Sequence, residues 1–368
     1  MMNEKRNNTV LVAMSGGVDS SVAAALLLEQ GYNVIGVTMK TYDFDDVGGN
    51  ITNETSCCGM GAIYDARLVA GKLGIPHYIM DFRNEFSSHV IDYFVNEYLR
   101  GRTPNPCVMC NRDIKWGALL KKAEALGADF IATGHYARVR FDEEKKRTII
   151  ARAKFAQKDQ SYALWAVSQE SLSKTLFPLG EKTKPEVREL AQQFGLRTAQ
   201  KEESYEICFV ADNDYGRFVK ERAVQLNLEI SDGDVMFDGK VVGKHQGYPF
   251  YTVGQRKGVG AYGRKVYVTE IEAETNTVHI GADKELYHRT LLARGANWVG
   301  LPGLTDEVQA TAMVRYKDFP ESASVYPHGN GFRVVFDKPK RAITPGQSVV
   351  LYDGDDLLGG GIIEEVLE

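Results

Sequence analysis

The 368-residue sequence lacks any apolar run approaching the length of a bilayer span, which argues against a helical membrane protein. Its first residues, MMNEKRNN, have no apolar core of a secretory signal, so the cytoplasm is the expected compartment. Cysteine is scarce. Cys57, Cys58, Cys107, Cys110 and Cys208 are the five present, all in the first two-thirds of the chain. In a reducing compartment such thiols point to catalysis or metal binding rather than to a structural disulfide framework. There is no excess of positive charge, because the formal net charge of −5 argues against indiscriminate nucleic-acid binding. Internal repeats and low-complexity segments are also absent. What remains, 43% hydrophobic and 25% charged residues, is the composition of an ordinary globular protein, and its length predicts two or three domains.

The most informative stretch present is Ala13–Ser21, AMSGGVDSS. It follows an apolar run, Thr9–Met14, that reads as a buried strand, and it opens a helical segment, Val22–Gln30, that stops at Gly31. A glycine-rich turn between strand and helix aims backbone N–H groups at a helix N-terminus, where an anion is favoured. Ser15, Ser20 and Ser21 add hydroxyls. No lysine precedes the serine pair, so this is not the G-x-x-x-x-G-K-[ST] nucleotide loop. Asp19 would repel phosphate unless a divalent cation lay between them, which suits pyrophosphate held with magnesium.

Up to about residue 200, strand-like segments (Asn33–Met39, Pro76–Met80, Asp129–Thr133) alternate with helical ones (Gly61–Leu73, Asn84–Leu99, Arg112–Leu126). That alternation implies a parallel sheet with helices on both faces and ligands at the carboxyl ends of its strands. The glycine loop and Thr133-Gly134-His135-Tyr136 occupy such ends. Lys158–Gly195 reads as helical and polar, and Asp43–Met60 is expected to be a mobile loop. From about Ser231 the texture changes to short alternating segments, Val266–Ile271, Thr277–Ile280, Val308–Tyr316, Phe332–Phe336 and Ser348–Leu351, the pattern of a small antiparallel barrel. Two basic clusters stand out. One is Arg138, Arg140, Lys145, Lys146, Arg147, Arg152, Lys154 and Lys158; the other is Arg256, Lys257, Arg264 and Lys265 among glycines. Such runs read first as solvated faces and second as phosphate contacts for a folded RNA.

The Cys107–Cys110 pair sits in Thr103-Pro104-Asn105-Pro106-Cys107-Val108-Met109-Cys110-Asn111, after two stiffening prolines and before a helix. A helix start, with Arg102 and Arg112 nearby, would favour the Cys110 thiolate as a nucleophile. Cys208, in Ile207-Cys208-Phe209, reads by itself as an inert core thiol.

The loop resembles the SGGxDSS loop of the ATP pyrophosphatase (PP-loop) superfamily. Gly101–Asn111, Ala132–Tyr136, Lys158–Tyr162, Phe177–Gly180, Ile207–Phe209, Gly254–Gly258 and Pro345–Gln347 then follow in the order seen in bacterial tRNA-uridine 2-sulfurtransferases of the MnmA/TrmU family. That resemblance covers essentially the whole chain. It implies an α/β fold: a doubly wound, adenine nucleotide alpha hydrolase-like PP-loop domain over 1–210, a small central domain over 211–285 and a C-terminal antiparallel β-barrel over 286–368. It implies ATP and Mg²⁺ bound by Ala13, Met14, Ser15, Gly16, Gly17, Val18, Asp19 and Ser20, with Met39 and Gly134 near the adenosine and Asp19 as a possible magnesium carboxylate. It further implies adenylation of O2 of the tRNA wobble uridine and sulfur transfer through a Cys208 persulfide, with Cys110 as nucleophile. Asn105, Pro106 and Cys107 would line the target base, and His135, Lys158, Asp159, Gln160, Arg315, Tyr316 and Gln347 match tRNA-contacting positions.

The implied partners are tRNA isoacceptors for Glu, Gln and Lys and a sulfur donor, either a cysteine desulfurase or a relay protein. A monomer that does not engage membranes is expected. The better-known pattern has Asp at the position of Cys107. With thiols at Cys107, Cys110 and Cys208, a [4Fe-4S] cluster with one open iron is therefore an alternative route. Amidation or ligation by the same loop, or a catalytically silent RNA-binding protein, are the readings from other classes. Cys57 and Cys58 are assigned no role.

Overall fold

The computed structural model describes residues 8–43, 47, 60–201, 207–210 and 212–367; Cys57, Cys58 and most of the loop expected over Asp43–Met60 lie outside them. The chain divides into two compact units. The first comprises residues up to Val90, Cys107–Asn213 and Asp355–Leu357, and the second Ile91–Pro106, Asp214–Gly354 and the C-terminal strand from Leu358.

In the first unit, β1 (Thr9–Ala13), β2 (Asn33–Lys40), β3 (His77–Asp81), β4 (Phe130–Ala132) and a short β-strand at Thr175–Leu176 form a parallel sheet. Its order is β3-β2-β1-β4 and then the short strand. The chain builds outward from β1 to β3, then crosses back to β4. The order therefore reverses between β1 and β4, the place where doubly wound sheets open a crevice for ligands. Helix α1 (Val18–Glu29) is buried from Val22 through Leu27 except at its polar end, because alanines at 23, 24 and 25 let it lie flat between sheet and neighbours. It begins four residues earlier than its apolar pattern predicts, so Val18, Asp19, Ser20 and Ser21 form its first turn. Gly31, at φ +86°, ends it. Helix α2 (Met60–Leu73) packs on β2 and β3.

The basic run beginning at Arg138, read first as a solvated face, is a β-hairpin, β5 (Ala137–Asp142) and β6 (Arg147–Arg152), whose Arg138 and Arg140 pair with Asp355 at 2.7 Å and Asp356 at 2.6 Å. One sequence expectation changes here. Lys158–Gly195 is not one helical region. It holds short turns, the edge strand at Thr175–Leu176 and helix α3 (Lys184–Gln193), which starts with a Thr183/Glu186 capping box and Pro185.

In the second unit, β8 (Gly233–Phe237), β9 (Lys240–His245), β10 (Tyr267–Glu272) and β11 (Thr277–Gly281) make a sheet ordered β10-β11-β8-β9, counting the Thr175–Leu176 strand as β7. Strands β12 (Tyr287–Trp298), β13 (Val308–Met313), β14 (Glu321–His328), β15 (Gly331–Arg341), β16 (Ser348–Asp353) and β17 (Asp356–Leu367) close into a six-stranded antiparallel barrel through the β12–β17 pairing. Its interior is filled by Leu291, Ala312, Val325, Phe332, Val334, Phe336, Val349 and Ile363. It is a packed core rather than a channel.

Candidate active site

The glycine loop leaves β1 at Ala13 and becomes α1 at Val18. Met14 is tied to β2 through its N–H to Val37 O at 2.8 Å and through Thr38 Oγ1 donating to Met14 O at 2.8 Å. Gly16 takes φ +69°, and a Cβ there would stand 2.2 Å from Ala62 O. Gly134, just past β4, approaches so closely that its Cβ would meet Ser20 N at 2.7 Å. Both positions therefore need glycine: Gly16 lets the loop lie against α2, and Gly134 lets the end of β4 lie against the first turn of α1. Gly17 caps that helix without any side-chain hydrogen bond, so the first-turn N–H groups carry no intramolecular cap. Such a turn, at the switch point of a parallel sheet, is built for an anion.

The hydroxyls are used differently from the sequence expectation. Ser20 and Ser21 are buried and donate to Gly17 O at 3.2 and 2.8 Å, and Ser15 N–H donates to Ser20 Oγ at 3.2 Å. They shape the loop, while Ser15 alone is exposed. Met39, at the carboxyl end of β2, is partly buried.

Cations that the loop lacks come from far along the chain. Lys184, at the start of α3, sets Nζ 2.7 and 2.8 Å from the two Asp19 oxygens, and Tyr136 Oη donates to Asp19 Oδ1 at 2.7 Å. The Lys184 side chain is 11% exposed and that of Asp19 31%. Lys201 Nζ lies 2.6 Å from Asp65 and 3.2 Å from Gly16 O. Neither lysine was named from sequence. Lys184 acts 165 residues away from its partner, and only its capping box was legible locally.

Tyr136 is held in turn by Gln160, whose Oε1 accepts from Tyr136 N at 2.9 Å. Asp159 accepts from Ala153 N, Ser161 N and Ser161 Oγ, and burial pushes its carboxyl above the usual value. Lys158 closes the same turn and is partly exposed. His135 Nδ1 lies 2.6 Å from Thr133 Oγ1 and its Nε2 3.4 Å from Lys115 Nζ, against Trp116 and Phe177. Burial, then the Lys115 ammonium, holds it well below the ordinary imidazole range, so it is neutral at pH 7.

The helix carrying the cysteine pair starts at Pro106, with proline at its first position. Cys107 is thus in the first turn and exposed. Cys110, expected at the helix start, lies a turn further in, partly buried, where the helix widens into a π segment, Cys110–Leu119. Single π turns recur at functional sites because they re-aim side chains. The two arginines expected beside it are paired elsewhere, Arg112 with Asp113 at 2.8 Å and Arg102 with Glu97 at 2.9 Å. Cys208 does not lie in the core, where its apolar neighbours in sequence would by themselves put it. It is partly exposed, while Phe209 and Val210 plug into the interior and Tyr42 Oη donates to Cys208 O at 2.5 Å. Phe209 meets the Phe86 ring edge-on at 5.7 Å. The turn Arg83–Phe86 also packs on the π segment, so both cysteine segments rest on one support.

The iron–sulfur alternative does not fit. Among the described residues no three His, Cys, Asp or Glu side chains are gathered to hold a metal ion, so Cys107, Cys110 and Cys208 are not assembled as a ligand set.

In the second unit, Gln347 donates to Thr103 O and Pro104 O at 3.0 and 3.1 Å, bracing the segment that carries Asn105 and Pro106. Arg315 donates to Arg341 O at 3.0 Å, and Tyr316 is 39% exposed. No described helix is long and apolar enough to cross a membrane.

Comparison with known proteins gives matches along nearly the whole chain. Residues 8–212 match a tRNA methyl transferase HUP domain, 218–282 a tRNA methyl transferase PRC-barrel domain, and 288–363 an aminomethyltransferase β-barrel domain. The tRNA-specific 2-thiouridylase MnmA of Salinibacter ruber is 52% identical over 365 residues, covering 98% of this chain and 95% of the relative. That of Symbiobacterium thermophilum is 51% identical over 364 residues, covering 97% and 92%. Among solved structures, a 4-thiouridine synthetase–RNA complex with bound ATP superimposes with a TM-score of 0.37 at 19% identity, covering 60% of this chain and 51% of that one.

Proposed function

The chain belongs to the tRNA-specific 2-thiouridylase MnmA family, and from that premise we propose that it converts the wobble uridine of tRNA to 2-thiouridine with cleavage of ATP. The observation that carries the reading is the uncapped first turn of α1, closed by Gly16 and Gly134 and flanked by Lys184 and Lys201. A triphosphate laid there would meet N–H groups at its centre and ammonium groups at its rim. A magnesium ion on the phosphates would neutralise their charge, with Asp19 the loop carboxylate able to face it.

Uridine O2 attacks the α-phosphate, pyrophosphate leaves, and the O-adenylate makes C2 open to sulfur. A persulfide on Cys208 supplies that sulfur. Either Cys110 thiolate attacks the Cys208 sulfur and releases hydrosulfide to C2, or the terminal persulfide sulfur attacks C2 and Cys110 then cleaves the S–S bond. AMP leaves in both. Both end with one Cys110–Cys208 disulfide, which a two-electron thiol reductant resets. Asn105, Pro106, Cys107, His135, Lys158, Asp159, Gln160, Arg315, Tyr316 and Gln347 contribute to binding the RNA. Asp159, Gln160 and Gln347 do so through the backbone turns they brace. The accepted isoacceptors are those for Glu, Gln and Lys, the sulfur comes from a cysteine desulfurase or relay protein, and the enzyme is a cytoplasmic monomer with ATP chemistry in 1–210 and RNA contacts extending into 211–285 and 286–368.

The test is mass spectrometry of nucleosides after incubating the anaerobically purified protein with ATP, unmodified tRNA and a persulfide donor, with iron measured in parallel. We expect one AMP per 2-thiouridine and no stoichiometric iron. AMP release without 2-thiouridine would point instead to an amine or ammonia nucleophile.

Lys184→Met is expected to weaken ATP binding about tenfold or more, because Asp19 then faces phosphate without its cation. Calorimetric titration of ATP checks it. An unchanged affinity would show that Lys184 serves only the local fold.

A further inference from the structure

The second basic cluster of the sequence lies on the loop Thr252–Val266, between Tyr251 and β10. This loop is built rather than loose. Val259 and Val266 are buried with Val235, Val268, Val278 and Ile280 in the core of the small sheet. Gly254 N–H donates to Val268 O at 2.8 Å, Val268 N–H to Gln255 O at 2.9 Å, and Gln255 Nε2 to Lys257 O at 2.9 Å. Gly254, Gly258, Gly260 and Gly263 all take positive φ, so the loop folds tightly with little side-chain bulk. The result is an open pocket of about 380 Å³ lined by Arg256, Gly260, Tyr262, Gly263, Arg264 and Lys265.

The cations on this loop divide into two kinds. Arg264 lies over the Phe237 ring at 4.4 Å and pairs with Asp238 at 3.0 Å, so it holds the pocket wall. Arg256, Lys257 and Lys265 are exposed, and among the described residues no carboxylate stands within ion-pair distance of any of them. Arg138 and Arg140 of the β5–β6 hairpin, by contrast, are each neutralised by an aspartate. In a chain of net charge −5, three unpaired cations beside one glycine-rich pocket form a local site of opposite sign.

We propose that this loop binds the sugar-phosphate backbone of the substrate RNA, with Arg256, Lys257 and Lys265 on phosphodiester oxygens and the glycines allowing the backbone to approach closely. A lone mononucleotide is a poor match, since the pocket is open and Lys257 of the same loop lies outside its lining. The proposal rests on the RNA-modifying reading above. Its contacts are to phosphate and carry no base sequence, so they should strengthen binding of every accepted tRNA alike.

The experiment measures binding of unmodified tRNA to the full-length chain by fluorescence anisotropy across a series of salt concentrations. The triple variant Arg256→Gln, Lys257→Gln, Lys265→Gln leaves the Arg264–Phe237 wall intact. It is expected to weaken binding about 10- to 100-fold near physiological salt and to reduce the slope of log K against log salt by about 2–3. The single variant Lys265→Gln should reduce the slope by roughly 0.7–0.9, which keeps the test open if the triple variant folds poorly. At saturating tRNA, kcat should be retained while KM rises. Unchanged slopes in variants of an active enzyme would overturn the loop assignment alone. A wild-type chain that neither binds tRNA nor makes 2-thiouridine would overturn the enzymatic reading beneath it.

Discussion

Cys110→Ser is expected to reduce 2-thiouridine formation from a persulfide donor by at least about 1,000-fold while adenylation, read as AMP release, persists within a few-fold. Serine keeps the size and the hydrogen-bonding capacity of the side chain but not an accessible anion, since a thiol ionises near pH 8.5 and an aliphatic alcohol does not in this range. Cys208→Ser should have the same effect, because it removes the atom that carries the sulfur. The two variants separate from the wild type in an informative way when free hydrosulfide replaces the persulfide donor. Hydrosulfide can attack the adenylated C2 without either thiol, so both variants should regain part of their activity. Nucleoside mass spectrometry with the two sulfur sources decides it. Full 2-thiouridine formation in the double variant with the persulfide donor would remove both cysteines from the chemistry.

The second large effect concerns two glycines. Gly134→Ala drives a methyl group to 2.7 Å from Ser20 N and 2.8 Å from the Asp19 carbonyl carbon, which are backbone atoms that cannot rotate away. Gly16→Ala meets Ala62 O at 2.2 Å and adds the strain of a positive φ. Either should cost about 1–3 kcal/mol of stability through overpacking. Either should also weaken ATP binding by about 100-fold, since the first turn of α1 must shift and its N–H groups no longer converge. Gly74→Ala is the internal comparison. It has a similar φ of +69° but nothing within 4 Å of the added carbon, so it should show the strain without the loss of ATP binding. Thermal melts and ATP titrations on the three variants check both parts. Equal ATP affinity in all three would mean that the close approach of β4 to α1 does not shape the site.

Local patterning is read well from one dimension. The amphipathic stretch Asn84–Leu99 buries Phe86, Val90, Phe94, Val95 and Tyr98 as its spacing predicts, and the β-strands from Tyr267 onward follow the alternating segments within a few residues. What one dimension conceals is partnership. Arg138 and Arg140 read as part of a basic run because Asp355 and Asp356, which pair with them, lie more than 200 residues away. Arg102 and Arg112 looked poised to activate Cys110 because neither Glu97 nor Asp113 could be assigned to them. The Cys110 helix starts at Pro106 rather than at Arg112, because a proline that stiffens the approach to a helix is also a favourable first residue of one.

For this protein, the order of its short motifs by itself determined the family, the loop after β1 and the two cysteines of interest, since each depends on residue types at close spacing. The tertiary structure decided which charges face that loop. Lys184 and Lys201 reach it only because α3 and the segment after it pack back against α1 and α2, and an ion pair a few ångströms long leaves no trace in a sequence whose partners stand 165 and 136 positions apart.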